Sequence, residues 1–172
     1  ILISDSANGP WTEATIEPDR GSTITQVAFV DGETALAVGH DGWILRSTDA
    51  GHTWKEMAFD AEHADPLMGI GVVDSKVYVV GSFGQLRVSN DWGQTWEKLT
   101  ADAISDHHLY GIVRQNDGST LIVGEQGLMV RSADGGKTWQ ALPQVYNGSF
   151  FGVVSTPAGG TVAFGMRGHV FL

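Results

Sequence analysis

Ser47-Thr48-Asp49-Ala50-Gly51-His52-Thr53-Trp54 decides the reading of this chain, because it recurs. Ser89-Asn90-Asp91-Trp92-Gly93-Gln94-Thr95-Trp96 is a second copy and Ser132-Ala133-Asp134-Gly135-Gly136-Lys137-Thr138-Trp139 a third. The tryptophans stand at 54, 96 and 139. A decayed copy opens the chain, where Ser4 and Trp11 keep the offset and Ser6 stands in place of the aspartate. Self-similarity at an interval of about forty residues is the mark of a repeat architecture.

Each copy follows a Gly-x-x-Gly turn: Gly39/Gly42, Gly81/Gly84 and Gly124/Gly127, with Gly165/Gly168 after them. Between these landmarks lie short runs rich in Val, Ile, Leu and Phe, bounded by Gly, Asp, Asn and Ser. Such runs read as strands, and no window sustains a helical period. The spacing predicts four strands per repeat, A (25–31), B (34–40), C (43–48) and D (53–58) in the first complete one. Four short antiparallel strands per repeat describe the blade of a β-propeller. The whole chain, 1–172, is expected to be one all-β propeller unit. Its repeats run 25–66, 67–108 and 109–148, with partial ones at 1–24 and 149–172.

The recurring residues have a structural task at the C–D hairpin. A short carboxylate accepts hydrogen bonds from the N–H groups of its own turn, glycine supplies a left-handed backbone, and the tryptophan caps the hairpin. Ser47, Asp49, Gly51, Thr53 and Trp54 therefore read as scaffold. So do Ser89, Asp91, Gly93, Thr95 and Trp96, and Ser132, Asp134, Gly136, Thr138 and Trp139. Gly69, Gly111 and Gly152 hold one place in strand A, with Gln26 the exception. Innermost strands crowd the propeller axis, and glycine permits their close approach.

The Ser-x-Asp-x-Gly-x-Thr-Trp pattern resembles the Asp-box, or BNR repeat, of sialidases, xyloglucan-degrading hydrolases, sortilin-type receptors and photosystem II stability/assembly factors. Gly124–Trp139 and Gly39–Trp54 are most similar to the last group. That resemblance implies a ring of seven blades and a non-enzymatic, protein-binding scaffold, its partner a subunit of a membrane complex. Propellers of this kind also occur in bacteria without photosynthesis, where an exported accessory role beside an envelope complex would fit. It further implies that the hairpins share one face and that the B–C and D–A loops form an opposite, ligand-binding face. That face would carry His40, Asp41, Ser82, Phe83, Glu125, Gln126, Met166 and Arg167, with His63, Asp65, Asp106, His107, His108, Tyr146 and Asn147. An arginine patch contributed by the repeats is a known trait of the group. Arg46, Arg87 and Arg131, near the end of strand C, are the candidates here. Arg167, Trp92, His107 and His108 complete the set of candidate partner contacts.

Composition bounds the alternatives. With 172 residues and 42% hydrophobic content the chain can bury a core. A formal net charge of −10 lacks the basic footprint that nucleic acid demands, and equally disfavours an anionic membrane surface. No apolar run reaches transmembrane length. Without cysteine there is no disulfide, thiolate site or cysteine nucleophile, and no cofactor is called for. The start at Ile1, without Met or signal peptide, is read as loss or omission of an N-terminal segment. The expected location is periplasmic, luminal or secreted.

Asp106, His107 and His108, with His63 and Asp65, offer metal-ligand types, but the spacing matches no strong motif and no metal is assigned. The runner-up function is a carbohydrate-active propeller, either a sialidase- or xyloglucanase-type hydrolase or a glycan-binding module. A sialidase needs three converging arginines and a Tyr–Glu pair; Tyr78, Tyr110 and Tyr146 have no evident Glu partner. Glycoside hydrolysis needs two facing carboxylates, for which Asp41, Asp65, Asp106 and Glu125 are available but unpatterned. The balance is against an enzyme, and no catalytic residue is assigned.

The phase of the two ends completes the reading. Both lie inside a strand C, since Ile1–Ser4 aligns with Ile44–Ser47 and the chain closes at Val170–Leu172. Three arrangements follow, in order of preference: part of a ring of six to eight blades, two copies sharing a ring, or four blades closing alone with one strand C displaced.

Overall fold

The computed structural model describes residues 1–172 and contains eighteen strands. β1 (Leu2–Ile3) and β2 (Thr12–Glu13) form a hairpin. The first complete blade is β4 (Ile24–Phe29), β5 (Ala35–Gly39), β6 (Ile44–Ser47) and β7 (Thr53–Ala58). The second is β8 (Leu67–Val73), β9 (Lys76–Gly81), β10 (Leu86–Ser89) and β11 (Glu97–Lys98). The third is β12 (Leu109–Arg114), β13 (Thr120–Gly124), β14 (Met129–Ser132) and β15 (Gln140–Ala141). β16 (Phe150–Ser155), β17 (Thr161–Gly165) and β18 (Val170–Phe171) make a three-stranded sheet. The four-stranded antiparallel blade expected from the repeat is what forms.

One strand departs from the expected blade. β3 (Thr15–Glu17) pairs parallel to β7 and adds a fifth strand to the outer edge of the first blade. The β1–β2 hairpin and the β16–β18 sheet are separate sheets, so the two ends do not combine into one blade and the closed four-bladed ring is not made. The blades stand in an arc, each inner strand beside the next: β4 by β8, β8 by β12 and β12 by β16.

Apolar layers between successive sheets hold the arc together. Leu36, Val38 and Ile44 of the first blade meet Ile70, Val77 and Val79 of the second. Leu86 and Val88 of the second meet Ile122 and Val130 of the third. Leu121 and Val123 of the third meet Phe150, Val153 and Ala163 of the last sheet. Burial of such side chains contributes roughly 1.5–3 kcal/mol each.

The inner strands are as crowded as their glycines foretell. A Cβ on Gly69 would lie 2.9 Å from the Tyr110 carbonyl oxygen of the next blade, and one on Gly111 3.3 Å from the Gly152 Cα. Gln26, the exception, uses its side chain instead: its Oε1 accepts a hydrogen bond from the Ile70 N–H at 2.9 Å, across to β8. Each inner strand also carries a bulge at an equivalent residue, Thr25, Met68, Tyr110 and Phe151.

A second tie joins each hairpin to the blade before it. Arg46 Nε of the first blade donates to the Trp92 carbonyl of the second at 2.8 Å. Lys76 Nζ and Tyr78 Oη of the second donate to the Gly135 carbonyl of the third at 2.9 and 3.0 Å. Trp92 and Gly135 hold the same position of the repeat, and both have positive φ.

Candidate functional site

The hairpin boxes are built alike. In the first, Asp49 Oδ1 accepts from Ser47 Oγ at 2.7 Å and from the Thr53 N–H at 2.9 Å, and Oδ2 accepts from Thr53 Oγ1 at 2.6 Å. Ser47 Oγ accepts the Gly51 N–H at 2.9 Å. Asp91 and Asp134 repeat these contacts. The threonine hydroxyl and N–H are the first cause of a lowered carboxyl pKa, to about 2 for Asp91 and Asp134 and lower still for Asp49. These acids are fully engaged as scaffold.

The opposite face carries the B–C turns, and all four share one conformation. Asp41-Gly42, Phe83-Gly84, Gln126-Gly127 and Arg167-Gly168 each have positive φ at both residues. The turns close through N–H to carbonyl bonds from Trp43 to His40, Gln85 to Ser82, Leu128 to Glu125 and His169 to Met166. This is the type I′ hairpin, whose first position favours Asn, Asp or Gly. Asp41 suits it; Phe83, Gln126 and Arg167 are held there at a cost.

The D–A loops pack against these turns as expected. The Gly42 N–H donates to the Asp65 carbonyl, and the Gly84 N–H to that of His107. The Phe83 ring is 58% exposed and meets the His108 ring edge-on, 4.8 Å between centroids. Phe83 N–H approaches His108 Nδ1 at 3.4 Å, and the His108 N–H donates to Glu125 Oε1 at 2.9 Å. His107 Nδ1 turns away to the Ile104 carbonyl at 2.9 Å. His63 Nδ1 faces Asp60 at 3.2 Å. The histidines weighed as metal ligands thus serve three different local partners. Tyr146 Oη donates to the Met166 carbonyl at 2.8 Å, and Val145, Asn147, Arg167 and His169 line a hollow beside it.

The remaining candidates are dispersed. Arg46 and Trp92 come together on the hairpin side, where Trp92 is 38% exposed in a left-handed backbone. Arg131 ties Asp117 at 2.5 Å and Ser119 at 3.0 Å within its own blade. Asp117 is held near 2, first by the Ser119 hydroxyl. Arg87 lies in a cleft between the first two blades, on the other sheet face from Arg46 and Arg131. Burial pulls its guanidinium below the ordinary value, while Asp60 and Asp65 push it back up. Trp43 is a core residue whose Nε1 donates to Glu56 Oε2 at 2.9 Å. Of the carboxylates that glycoside hydrolysis would call on, Asp41 accepts from Ser22, Asp65 from Gln85 and Glu125 from the His108 N–H, each bond joining a D–A loop to the B–C turn that follows it.

Comparison with known proteins fits this geometry. Residues 3–172 match the family described as "Photosynthesis system II assembly factor YCF48". The chain belongs to the Ycf48 family. It is 34% identical over 140 residues to the photosystem II assembly lipoprotein Ycf48 of Prochlorococcus marinus, covering 80% of this chain and 41% of that protein. It is 29% identical over 167 residues to the Picosynechococcus protein of the same name, covering 96% of this chain and 48% of the relative. The chain thus spans less than half the length of these curated relatives. A solved structure described as YCF48 bound to D1 peptide superposes with a TM-score of 0.71 at 25% identity, over 84% of this chain and 47% of that one. The relatives are named lipoproteins; in this chain no helix is long and apolar enough to cross a membrane.

Proposed function

We propose that this chain is a protein-binding scaffold, an assembly or stability factor acting on a membrane-bound complex from the exported side: periplasm, lumen or exterior. Membership of the Ycf48 family supports this reading, as does the peptide named in the related structure. The observation that carries it is the row of type I′ turns. Three of the four hold a large side chain where aspartate or glycine would sit without strain, at a cost on the order of 1 kcal/mol each. Phe83, edge-on to His108 and mostly exposed, is the best-formed anchor of the row. Arg167, in the last turn of the row, offers a separate contact. Arg46 with Trp92, and Arg131, offer further contacts elsewhere on the arc.

The test replaces Phe83 with its photo-reactive analogue p-benzoylphenylalanine in cells. An adduct with a subunit of a membrane complex is expected from position 83, and none from Glu97 on the outer edge. Absence of such an adduct, or equal adducts from both positions, would sink the reading.

A further inference from the structure

Strand phase separates Arg87 from the two arginines that it resembles in sequence. Arg46 and Arg131 directly precede the box serine, whereas Arg87 stands one residue earlier. One residue along a strand is the opposite face of the sheet. The pairing agrees: Arg87 lies opposite Val79 as Leu45 lies opposite Ala37 and Val130 opposite Ile122. Leu45 and Val130 are wholly buried. Arg87 therefore takes a core position of its blade, turned toward the layer shared with the first blade.

A cleft of about 440 Å³ opens beside it, lined by Met57, Ala58, Asp60, Asp65, Gln85 and Lys98 among others. Both walls are complete four-stranded blades. Arg20, Arg114 and Arg131 each hold a carboxylate, at 2.8, 2.6 and 2.5 Å. Arg87 has none within 4.0 Å; its Nε and Nη2 share only Gln85 Oε1, both at a long 3.4 Å. Lys98 is its direct partner across the strand pair and has no carboxylate either. Two cations facing each other on one sheet face repel unless an anion lies between them.

We propose that this cleft is a carboxylate-binding site. Arg87 presents the planar donor fork, Lys98 adds charge, and Met57 and Ala58 flank the apolar stem of the ligand. Asp60 and Asp65 share the cleft, so a monoanion is favoured over a dianion such as phosphate. The site is defined by its chemistry and does not rest on the protein-partner reading.

The test is NMR on the ¹⁵N-labelled chain, following the Arg87 Nε–Hε signal, which is identified by its loss in Arg87→Leu. The probes are sodium propionate, N-acetylalanine (a chain-terminal carboxylate) and a capped Ala-Glu-Ala peptide (a side-chain carboxylate). Sodium chloride and inorganic phosphate serve at matched ionic strength. A saturable shift with carboxylate is expected, about tenfold weaker in Arg87→Lys, where the fork is lost. It should vanish from the cleft signals of Arg87→Leu, whose fold is checked by an unchanged ¹⁵N spectrum outside the cleft. The better of the two capped compounds identifies the source of the carboxylate. No saturable shift, an equal shift with chloride, tighter binding of phosphate, or binding that persists in Arg87→Leu would each overturn the proposal.

Discussion

The box at Ser47–Trp54 and its decayed counterpart at Ser4–Trp11 begin with the same serine and end with the same indole, yet they fold differently. In the first, the carboxylate gathers Ser47 and Thr53, and Trp54 is 2% exposed with its Nε1 bonded to the Gly51 carbonyl at 2.8 Å. In the second, Ser4 Oγ donates to the Ser6 carbonyl and Ser6 Oγ to that of Gly9, and Trp11 is 61% exposed. A hydroxyl at the aspartate position still bonds its own turn. It does not reach forward to a threonine, because residue 10 is proline, and the glycine that rounds the box is Asn8. Of these two boxes, only the one with the carboxylate–threonine clasp buries its tryptophan.

The largest way to test this contrast is to remove the two indoles. Trp54→Ala is expected to cost about 3–5 kcal/mol in urea unfolding, since it empties a buried site, whereas Trp11→Ala should cost under ~0.5 kcal/mol. Comparable losses would show that exposure does not separate the two boxes.

The glycines come next. A Cβ on Gly93 would fall 2.4 Å from Leu36 Cδ2, in the preceding blade, while one on Gly51 meets nothing nearer than 3.5 Å. Both have positive φ. Gly93→Ala should therefore lose roughly 2–4 kcal/mol, overpacking added to strain. Gly51→Ala should lose only about 1–2 kcal/mol, the backbone part alone.

Acid separates the boxes as well. The box carboxylates have folded values below the usual 3.8, about 2 for Asp91 and Asp134. A lowered folded value means that the unfolded chain binds the proton first as pH falls. The contribution is thus fully present above about pH 4 and is lost progressively as pH drops through about 2. Asp91→Asn with Asp134→Asn should flatten the dependence of the urea midpoint between pH 4 and 2; Ser6→Asp alone should leave it unchanged. The smallest effect is expected from rebuilding the decayed box with Ser6→Asp, Asn8→Gly and Pro10→Thr, read as a blue shift of Trp11 emission.

How far the sequence carried can be seen in particular residues. The boxes, the Gly-x-x-Gly turns and the strand-A glycines were legible because each needs one residue type at one place. β3 was not, since Thr15-Ile16-Glu17 is too short to show a period and its parallel pairing with β7 depends on tertiary packing. The separation of Arg87 from Arg46 and Arg131 is legible too, for its offset of one residue reverses the face of a strand. The turns held a similar clue, for a Gly at the second position of a two-residue hairpin implies a left-handed residue before it. That Phe83 would meet His108 was not readable, because their contact depends on how the D–A loop returns beneath the turn.

The tie between each hairpin and the blade before it gives the arc a direction. Arg46 holds the second blade's box, and Lys76 and Tyr78 hold the third's; the grip always runs from the earlier blade to the later. A blade that loses its successor keeps its own box clasped, but a blade that loses its predecessor has that carbonyl released. Pulled apart from its two ends, the chain should peel unequally, like overlapping tiles that lift easily from one side only.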